Sequence, residues 1–331
     1  MADYININGN NIPIRASDPS NPIIGEVWYN LTTNALKGQG ATASATWASG
    51  ASLPTATMQQ NGGGTQTATV MSGGNTGSDV TTSLEYDGST WTATGPLNTA
   101  QTLSSSAGTQ TAGLLFAGRP NPVTTQTESY NGSTWSILPA TLNSTDVGRI
   151  GFGIQTAAIA AAGQINASPF APQANTESWD GTSWSSVNSL NTGNNSAGGC
   201  GIQAAGLIFF GQTPTGRSTI TESWDGTCWT AANPGSSARS NRLGSAGIQT
   251  AAIAYGGASP PNAATGATEL YDGTSWVTST PLSVAREQIG SSGTQAAAFA
   301  SGGLVDPGTL KSDVEEFTGA GVPITVTFSS S

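Results

Sequence analysis

The stretch TESWDGTSW (residues 176–184) holds a glutamate, an Asp-Gly pair and two tryptophans within nine residues. It belongs to a series of related phrases, and the tryptophans that end five of them lie 44 to 49 residues apart. The copies are LEYDGSTW (84–91), ESYNGSTW (128–135), ESWDGTSW (177–184), ESWDGTCW (222–229) and ELYDGTSW (269–276), with a sixth, EEFTG (315–319), that lacks the tryptophan. A phrase that returns at a fixed period indicates a repeat architecture.

A second phrase repeats with the same period and also has six copies. They are GTQTATVMSGG (64–74), GTQTAGLLFAG (108–118), GIQTAAIAAAG (153–163), GIQAAGLIFFG (201–211), GIQTAAIAYGG (247–257) and GTQAAAFASGG (293–303). Each unit is predicted to hold four strands, because a small-residue strand, a turn and an apolar strand precede a hairpin built on Asp-Gly or Asn-Gly. Four-stranded units of this length are typical of propeller blades. The sequence therefore predicts an all-β, six-bladed β-propeller.

Glycines that end the second strand, then Tyr-Asp, then a tryptophan after a short turn resemble kelch repeats over residues 47 to about 319. The interval from Asp to Trp is shorter than in kelch repeats, and the pattern is similar to a divergent version in proteins of marine bacteriophages. The segment SDPSNPIIGEVWYNLTTNALKG (17–38) resembles one near the start of phage tail-fibre and related virion proteins. We expect an attachment segment (1–40), the propeller (41–319) and a C-terminal strand or tail (320–331).

Composition excludes several classes of function. Only 8% of the residues are charged, the net charge is −10, and two lysines and seven arginines form no basic stripe for nucleic acid. No apolar run is long enough to span a membrane. Histidine is absent, which removes the commonest general base and the His-ligated metal sites. We expect no enzyme activity, no cofactor and no transition metal, and we expect Cys200 and Cys228 to be free thiols.

Residues that return in every unit are expected to be structural, because a catalytic site needs an asymmetric set of groups. The glutamates should accept hydrogen bonds from a neighbouring strand or turn, and the rings should pack between blades. Blade one has Leu84 at the glutamate position. The residues assigned to this class are Glu128, Glu177, Glu222, Glu269, Glu315, Trp91, Trp135, Trp184, Trp229 and Trp276.

The repeated polar residues allow two other interpretations. The stretch around Asp180 and Gly181 resembles the Asp-box of sialidases, but it is one residue short. Sialidases also need three clustered arginines and a tyrosine nucleophile, whereas Tyr86, Tyr130 and Tyr271 belong to the repeat. A recurring glutamine could form a ligand-binding ring on the propeller axis; we expect it instead to stabilise the turn between the first two strands. These glutamines are Gln66, Gln110, Gln155, Gln203, Gln249 and Gln295.

Variation among the units is concentrated in the loops between the second and third strands, which should share one face of the propeller. Candidate binding residues in these loops are Arg119, Asn121, Phe170, Arg217, Pro260, Asp306 and Lys311. The leading hypothesis is a non-enzymatic bacteriophage virion protein, present in several copies, whose variable face meets a host glycan, a receptor or another virion protein. The alternatives are a capsid decoration or cement protein and a secreted carbohydrate-binding lectin.

The sequence offers seven candidates for six fourth strands. We expect the strand at Trp47 to complete the blade built from residues 289–317, since it precedes blade one as every other fourth strand precedes the next blade. The strand predicted at residues 324–329 would then be unpaired and free for attachment or oligomerisation.

Overall fold

The computed structural model describes residues 12–20, 25–41, 44–119, 124–165, 171–320 and 323–328. Strands are the only regular elements in these ranges, and no helix in them is long and apolar enough to cross a membrane. The chain divides into two compact units, a terminal unit (1–46 with 318–331) and a central unit (47–317).

The strands are numbered along the chain as β1 (Ile14–Arg15), β2 (Val27–Asn30), β3 (Ala35–Ala41), β4 (Thr46–Ser49), β5 (Asn61–Thr65), β6 (Ala68–Ser72), β7 (Ser83–Tyr86), β8 (Trp91–Ala93), β9 (Ser105–Thr109), β10 (Ala112–Phe116), β11 (Thr127–Tyr130), β12 (Trp135–Leu138), β13 (Ile150–Ile154), β14 (Ala157–Ala161), β15 (Thr176–Trp179), β16 (Trp184–Val187), β17 (Gly198–Ile202), β18 (Ala205–Phe209), β19 (Gln212–Thr213), β20 (Gly216–Arg217), β21 (Thr221–Trp224), β22 (Trp229–Ala232), β23 (Gly244–Ile248), β24 (Ala251–Tyr255), β25 (Ala258–Ser259), β26 (Ala263–Ala264), β27 (Thr268–Tyr271), β28 (Trp276–Ser279), β29 (Gly290–Gly293), β30 (Ala298–Ser301), β31 (Leu304–Val305), β32 (Thr309–Leu310), β33 (Val314–Thr318) and β34 (Pro323–Phe328).

The central unit is built from six four-stranded sheets, which are the six predicted blades. Their strand orders are β5-β6-β7-β8, β9-β10-β11-β12, β13-β14-β15-β16, β17-β18-β21-β22, β23-β24-β27-β28 and β29-β30-β33-β4. In each blade the second strand pairs antiparallel with the first and the third. Short hairpins β19-β20, β25-β26 and β31-β32 extend the loops of blades four, five and six. The predicted six-bladed propeller is therefore confirmed.

The ring closes where the two ends of the central unit meet. The first strand of each blade contacts the first strand of the next, and β29 of blade six contacts β5 of blade one. Blade six takes β4 as its outer strand, beside β33. The prediction that the Trp47 strand completes this blade is confirmed.

The hairpin between the third and fourth strands is set by an aspartate and a glycine. In blade three, Oδ1 of Asp180 accepts the backbone N–H groups of Thr182 and Ser183, both at 2.8 Å. Gly181 has a φ of 94°, a conformation that glycine adopts without steric cost. The Asp-Gly pair thus fixes the turn that returns the chain into the tryptophan strand.

The core is divided between adjacent blades. Trp184 of blade three packs edge-on against Phe116 of blade two, with ring centroids 4.8 Å apart. Its Nε1 donates to Oγ1 of Thr127 at 2.9 Å, and the same cluster includes Trp179 and Leu114. The rings therefore pack between blades, where large buried aromatic surfaces stabilise the fold strongly.

The terminal unit is a separate four-stranded sheet, in the order β1-β2-β3-β34. Strand β34 pairs antiparallel with β3, from Leu36 opposite Phe328 to Ala41 opposite Pro323. The expectation of an unpaired strand at 324–329 is wrong, because the N-terminal segment of the same chain supplies its partner. Residue 329 lies outside the described residues.

Asp18 organises the N-terminal segment of this sheet. Its carboxylate accepts Nε1 of Trp28 at 3.0 Å, Nδ2 of Asn30 at 2.5 Å and Nζ of Lys37 at 2.6 Å. The bonds from Lys37, Asn30 and Trp28 lower the pKa of Asp18 to about 2. One carboxylate therefore joins residues that are widely spaced in the 17–38 segment.

Candidate binding face and axial cavity

The five repeated glutamates are all buried and lie in equivalent places on the third strands. Each accepts the backbone N–H of a residue in the link that leads into its blade, at 2.7 to 3.0 Å. The donors to Glu128, Glu177, Glu222, Glu269 and Glu315 are Asn98, Asn143, Asn191, Ser236 and Ser283, respectively. These carboxylates hold the interblade links in place.

Three of the glutamates also bind a buried arginine that the sequence analysis did not single out. The pairs are Arg149–Glu177 at 2.6 Å, Arg239–Glu269 at 2.9 Å and Arg286–Glu315 at 2.9 Å, all with side chains at most 3% exposed. Each arginine also donates to backbone carbonyls, as Arg286 does to Gly302 and Asp313. Burial lowers the pKa values of Arg239 and Arg286, and the nearby glutamate opposes that shift.

The sequence marks two of these arginines by their spacing from a serine. Arg239 and Arg286 each follow by three residues the serine whose N–H binds the glutamate. Arg149 follows the equivalent Asn143 by six residues, so it reaches the same carboxylate from another backbone position. Because the spacing differs, a search for one repeated position would find only the first two.

The repeated glutamines join neighbouring blades, and the expectation that they stabilise their own turn is wrong. Nε2 of Gln155, in blade three, donates to the carbonyl oxygens of Gly113 at 3.0 Å and Tyr130 at 2.6 Å, in blade two. Gln66 of blade one binds Ala298 and Phe317 of blade six in the same way. The other four, Gln110, Gln203, Gln249 and Gln295, also donate to the preceding blade. The six amides are thus engaged in interblade bonds.

The variable loops of blades four, five and six are connected to one another. Arg217 of blade four donates to the carbonyl of Pro261 at 2.9 Å and to the side chain of Asn262, both in blade five. Asp306 of blade six accepts the N–H of Ala264 in blade five at 2.9 Å. We call these three connected loops the loop ridge (residues 212–219, 258–266 and 304–313).

The remaining candidate binding residues make no described hydrogen bond between the variable loops of different blades. Pro260 is exposed within the loop ridge, and Lys311 pairs with Asp313 at 3.2 Å. Arg119 is exposed at the start of the blade-two loop, where its N–H binds the carbonyl of Thr102 at 2.7 Å. Asn121 and Phe170 lie outside the described residues.

The first strands of all six blades line a cavity of about 190 Å³ on the propeller axis. Its wall is mostly glycine and serine, with Arg149 just before β13 and Arg242 on the link into blade five. Nη2 of Arg242 donates to Oδ1 of Asn61 in blade one at 3.2 Å and to the carbonyl of Ser104 at 2.8 Å. The arginine therefore reaches from blade five to the side of the ring formed by blades one and two.

Both cysteines are free, with Cys200 buried and Cys228 exposed, as predicted. Burial raises the pKa of the Cys200 thiol to about 12. Among the described residues, no group of three or more His, Cys, Asp or Glu side chains is placed to hold a metal ion.

Comparison with known proteins identifies the fold class. No protein-family model matches the sequence, and no curated protein matches it. A solved structure titled "Structure of YjhT" is similar, with a TM-score of 0.71 over 84% of this chain and 99% of that chain. The identity is 16%, so the likeness concerns the fold alone. The molecule is an all-β protein with the β-propeller fold.

Proposed function

We propose that this chain is a non-enzymatic bacteriophage virion protein of the tail or fibre. In this proposal the propeller presents its variable loops to a host surface or a neighbouring virion protein, and the terminal unit attaches it to the particle. The resemblance of residues 17–38 to segments of tail-fibre proteins supports the location. The sheet β1-β2-β3-β34 gives that segment a folded framework of its own.

The observation that carries the proposal is that the repeated residues make contacts within the ring, whereas the variable residues lie in exposed loops. The glutamates, glutamines and tryptophans shared by the blades are used in contacts within the ring. The residues that differ between blades are concentrated in the loops on one face, where three loops form the loop ridge. Loops on a rigid scaffold are the usual place for recognition.

The lack of enzyme activity is part of the proposal and is supported by the use of the acids. The five repeated glutamates are buried and bound to link N–H groups, and three of them are neutralised by arginine. The turn aspartates bind their own turns, as Asp180 does. No cofactor is needed for this role, and the partners would be virion proteins and a host glycan or protein receptor.

The test has two measurements. Antibodies against the purified chain should label intact phage particles, and the purified chain should bind host cells and compete with phage adsorption. Replacing the blade-four loop 212–219 by a short turn should weaken cell binding. A matched change on the opposite face, Ile202→Ser, should leave binding intact, because Ile202 lies exposed at the end of β17, beside the turn between the first two strands.

Absence of the chain from purified particles would overturn the proposal. Labelling of particles without any cell binding would favour the alternative of a decoration or cement protein. Glycan-array binding by a chain that is secreted and absent from particles would favour a lectin.

A further inference from the structure

Arg242 occupies an unusual position in the ring. It lies on the link into blade five, and its guanidinium reaches Asn61 of blade one and Ser104 at the start of blade two. A Cβ added to Gly148, in the link into blade three, would stand 3.9 Å from Nη1 of Arg242. The guanidinium is thus held between four blades, beside the axial cavity.

The three buried arginines of the propeller are neutralised, whereas the partly buried Arg242 is not. Arg149, Arg239 and Arg286 each bind a glutamate, whereas no carboxylate of the described residues lies within 4 Å of Arg242. Its acceptors are an amide oxygen and a backbone carbonyl, both neutral. Burial lowers its pKa to about 10, which leaves the side chain a cation at pH 7. A desolvated cation without a counter-charge is costly.

Glu287, in the link into blade six, binds other side chains. Glu287 accepts Nδ2 of Asn241 at 2.9 Å and Nε2 of Gln288 at 3.3 Å. No aspartate or glutamate lines the cavity, although the chain carries a net charge of −10. The cavity is therefore a locally positive place in an acidic protein.

The free N–H groups of Arg242 and the polar wall of the cavity both suit an oxyanion. Both described bonds of the guanidinium are made by Nη2, so Nη1 and Nε have no partner among the described residues. The wall also includes serines such as Ser196 and Ser292 and the first strands of the six blades. Guanidinium pairs with planar or tetrahedral oxyanions through two parallel N–H groups. A volume of about 190 Å³ exceeds the ~30 Å³ share of one water several times over.

We propose that the axial cavity is a binding site for a small oxyanion, a carboxylate or a sulfate or phosphate group, held by Arg242. The anion supplies the counter-charge that the chain itself does not place there. This site is separate from the loop ridge, and the inference does not depend on the proposed virion role.

The test compares the full chain with Arg242→Gln and with the control Arg217→Gln. Arg217 is a loop arginine that also has only neutral partners. Melting temperatures are measured against sodium sulfate, acetate and glucuronate, with sodium chloride at matched ionic strength as the reference. We expect a saturable rise for at least one oxyanion in the wild type and in Arg217→Gln, and at least a tenfold loss of apparent affinity in Arg242→Gln.

The three salts distinguish which kind of oxyanion the cavity binds. Preference for sulfate indicates a tetrahedral anion, preference for acetate a free carboxylate, and preference for glucuronate a carboxylate carried on a sugar. Equal effects of all salts and chloride, or an unchanged response in Arg242→Gln, would overturn the proposal and leave Arg242 as an interblade brace.

A second measurement guards against a variant that fails to fold. Crystals of the wild-type chain soaked in sodium selenate should show an anomalous peak within hydrogen-bond distance of Arg242. For a response that prefers sulfate, an axial cavity free of selenium at the concentrations that saturate the sulfate response would contradict the assignment; for a response that prefers a carboxylate, the same holds for bromoacetate and its bromine peak.

Discussion

Asp180 shows how a single side chain sets a repeated turn. Its carboxylate accepts hydrogen bonds from Thr182 and Ser183, and Gly181 takes the positive φ that the turn requires. In blade two the same place is taken by Asn131, whose Oδ1 binds the N–H groups of Ser133 and Thr134 at 3.0 and 2.9 Å. The turn therefore needs an acceptor oxygen rather than a charge.

The lowered pKa of Asp180 predicts how the free energy of unfolding depends on pH. The Thr182 hydroxyl and the N–H groups of Ser183 and Thr182 hold the pKa of Asp180 well below its usual range. Since the folded pKa is lowered, the stabilisation is present above the unfolded pKa of about 3.9 and is lost as pH falls through the folded pKa. We expect Asp180→Asn to remove this pH-dependent part while keeping the turn.

The measurement is urea unfolding of wild type, Asp180→Asn and Asp180→Ala between pH 6 and pH 3. The Asn variant should lose less stability than the Ala variant at pH 6, and the wild-type advantage over Asn should shrink toward pH 3. A wild-type advantage that grew with acid would show that the sign is wrong.

Ser83 marks a missing bond between two blades. The Nε1 groups of Trp184, Trp229 and Trp276 each donate to the Oγ1 of a threonine in the preceding blade. Blade one has Ser83 at that place, and both its hydroxyl and Nε1 of the facing Trp135 are buried without a partner. The β-branch of threonine restricts χ1, which serine leaves freer.

We therefore expect Ser83→Thr to raise the free energy of unfolding by about 1 kcal/mol, the usual worth of one hydrogen bond. Thr127→Ser, in the next blade, is the matched reverse change and should lower it. Chemical denaturation of both variants checks the pair. A destabilising Ser83→Thr together with a neutral Thr127→Ser would contradict the prediction, because the threonine methyl group would then not be what brings the hydroxyl to the indole.

At the scale of strands and links, the buried carboxylate of each blade fixes the link that enters it. In blade six, Glu315 accepts the N–H and hydroxyl of Ser283 at 2.8 and 2.7 Å and pairs with Arg286. Blade one replaces both members of this pair, with Leu84 for the glutamate and Thr57 for the arginine. The fold thus accommodates the ion pair, neither member of it, or a glutamate without an arginine, as in blades two and four.

This contrast predicts non-additive substitutions. Arg286→Thr alone should destabilise the protein by about 3 to 5 kcal/mol, because it leaves the buried Glu315 without its counter-charge. The double variant Arg286→Thr with Glu315→Leu, which copies blade one, should cost less than the sum of the two single changes. A double-mutant cycle by urea unfolding measures this, and strict additivity would argue against coupling.

The strands and hairpins were predictable because their signals are local. Apolar strands ended by glycine and Asp-Gly turns before tryptophan mark each element within ten residues. The partners of the side chains were not predictable in the same way. Gln155 binds Tyr130, 25 residues away in another blade, and Arg149 occupies a different position from Arg286. Arg242 contacts Asn61 across 181 residues, so the axial cavity emerges only once the ring has closed.

At the scale of the whole molecule, closure of the ring depends on one short strand. β4 is the outer strand of blade six, where Gly50, just after it, donates its N–H to the carbonyl of Val314 at 3.0 Å. Trp47 packs against Tyr255 and Phe317, with ring centroids 4.8 and 5.1 Å apart. Without this strand, β33 would present an exposed edge.

Two truncations test the closure. A chain lacking residues 1–45 and 319–331 keeps β4, whereas one lacking residues 1–50 and 319–331 does not. We expect the first to remain a folded propeller and the second to aggregate or to melt at lower temperature, as seen by size-exclusion chromatography and thermal denaturation. Equal behaviour of the two would mean that β4 is dispensable.

The pairing of β4 with β33 also has a mechanical consequence. The chain enters the propeller through β4 and leaves it through β33, which are neighbours in a single sheet. A pulling force applied at residues 46 and 318, where the chain enters and leaves the propeller, is therefore carried first by the contacts between these two strands. The other five blades are each formed from a consecutive stretch of chain. They carry no force until the contacts between β4 and β33 break.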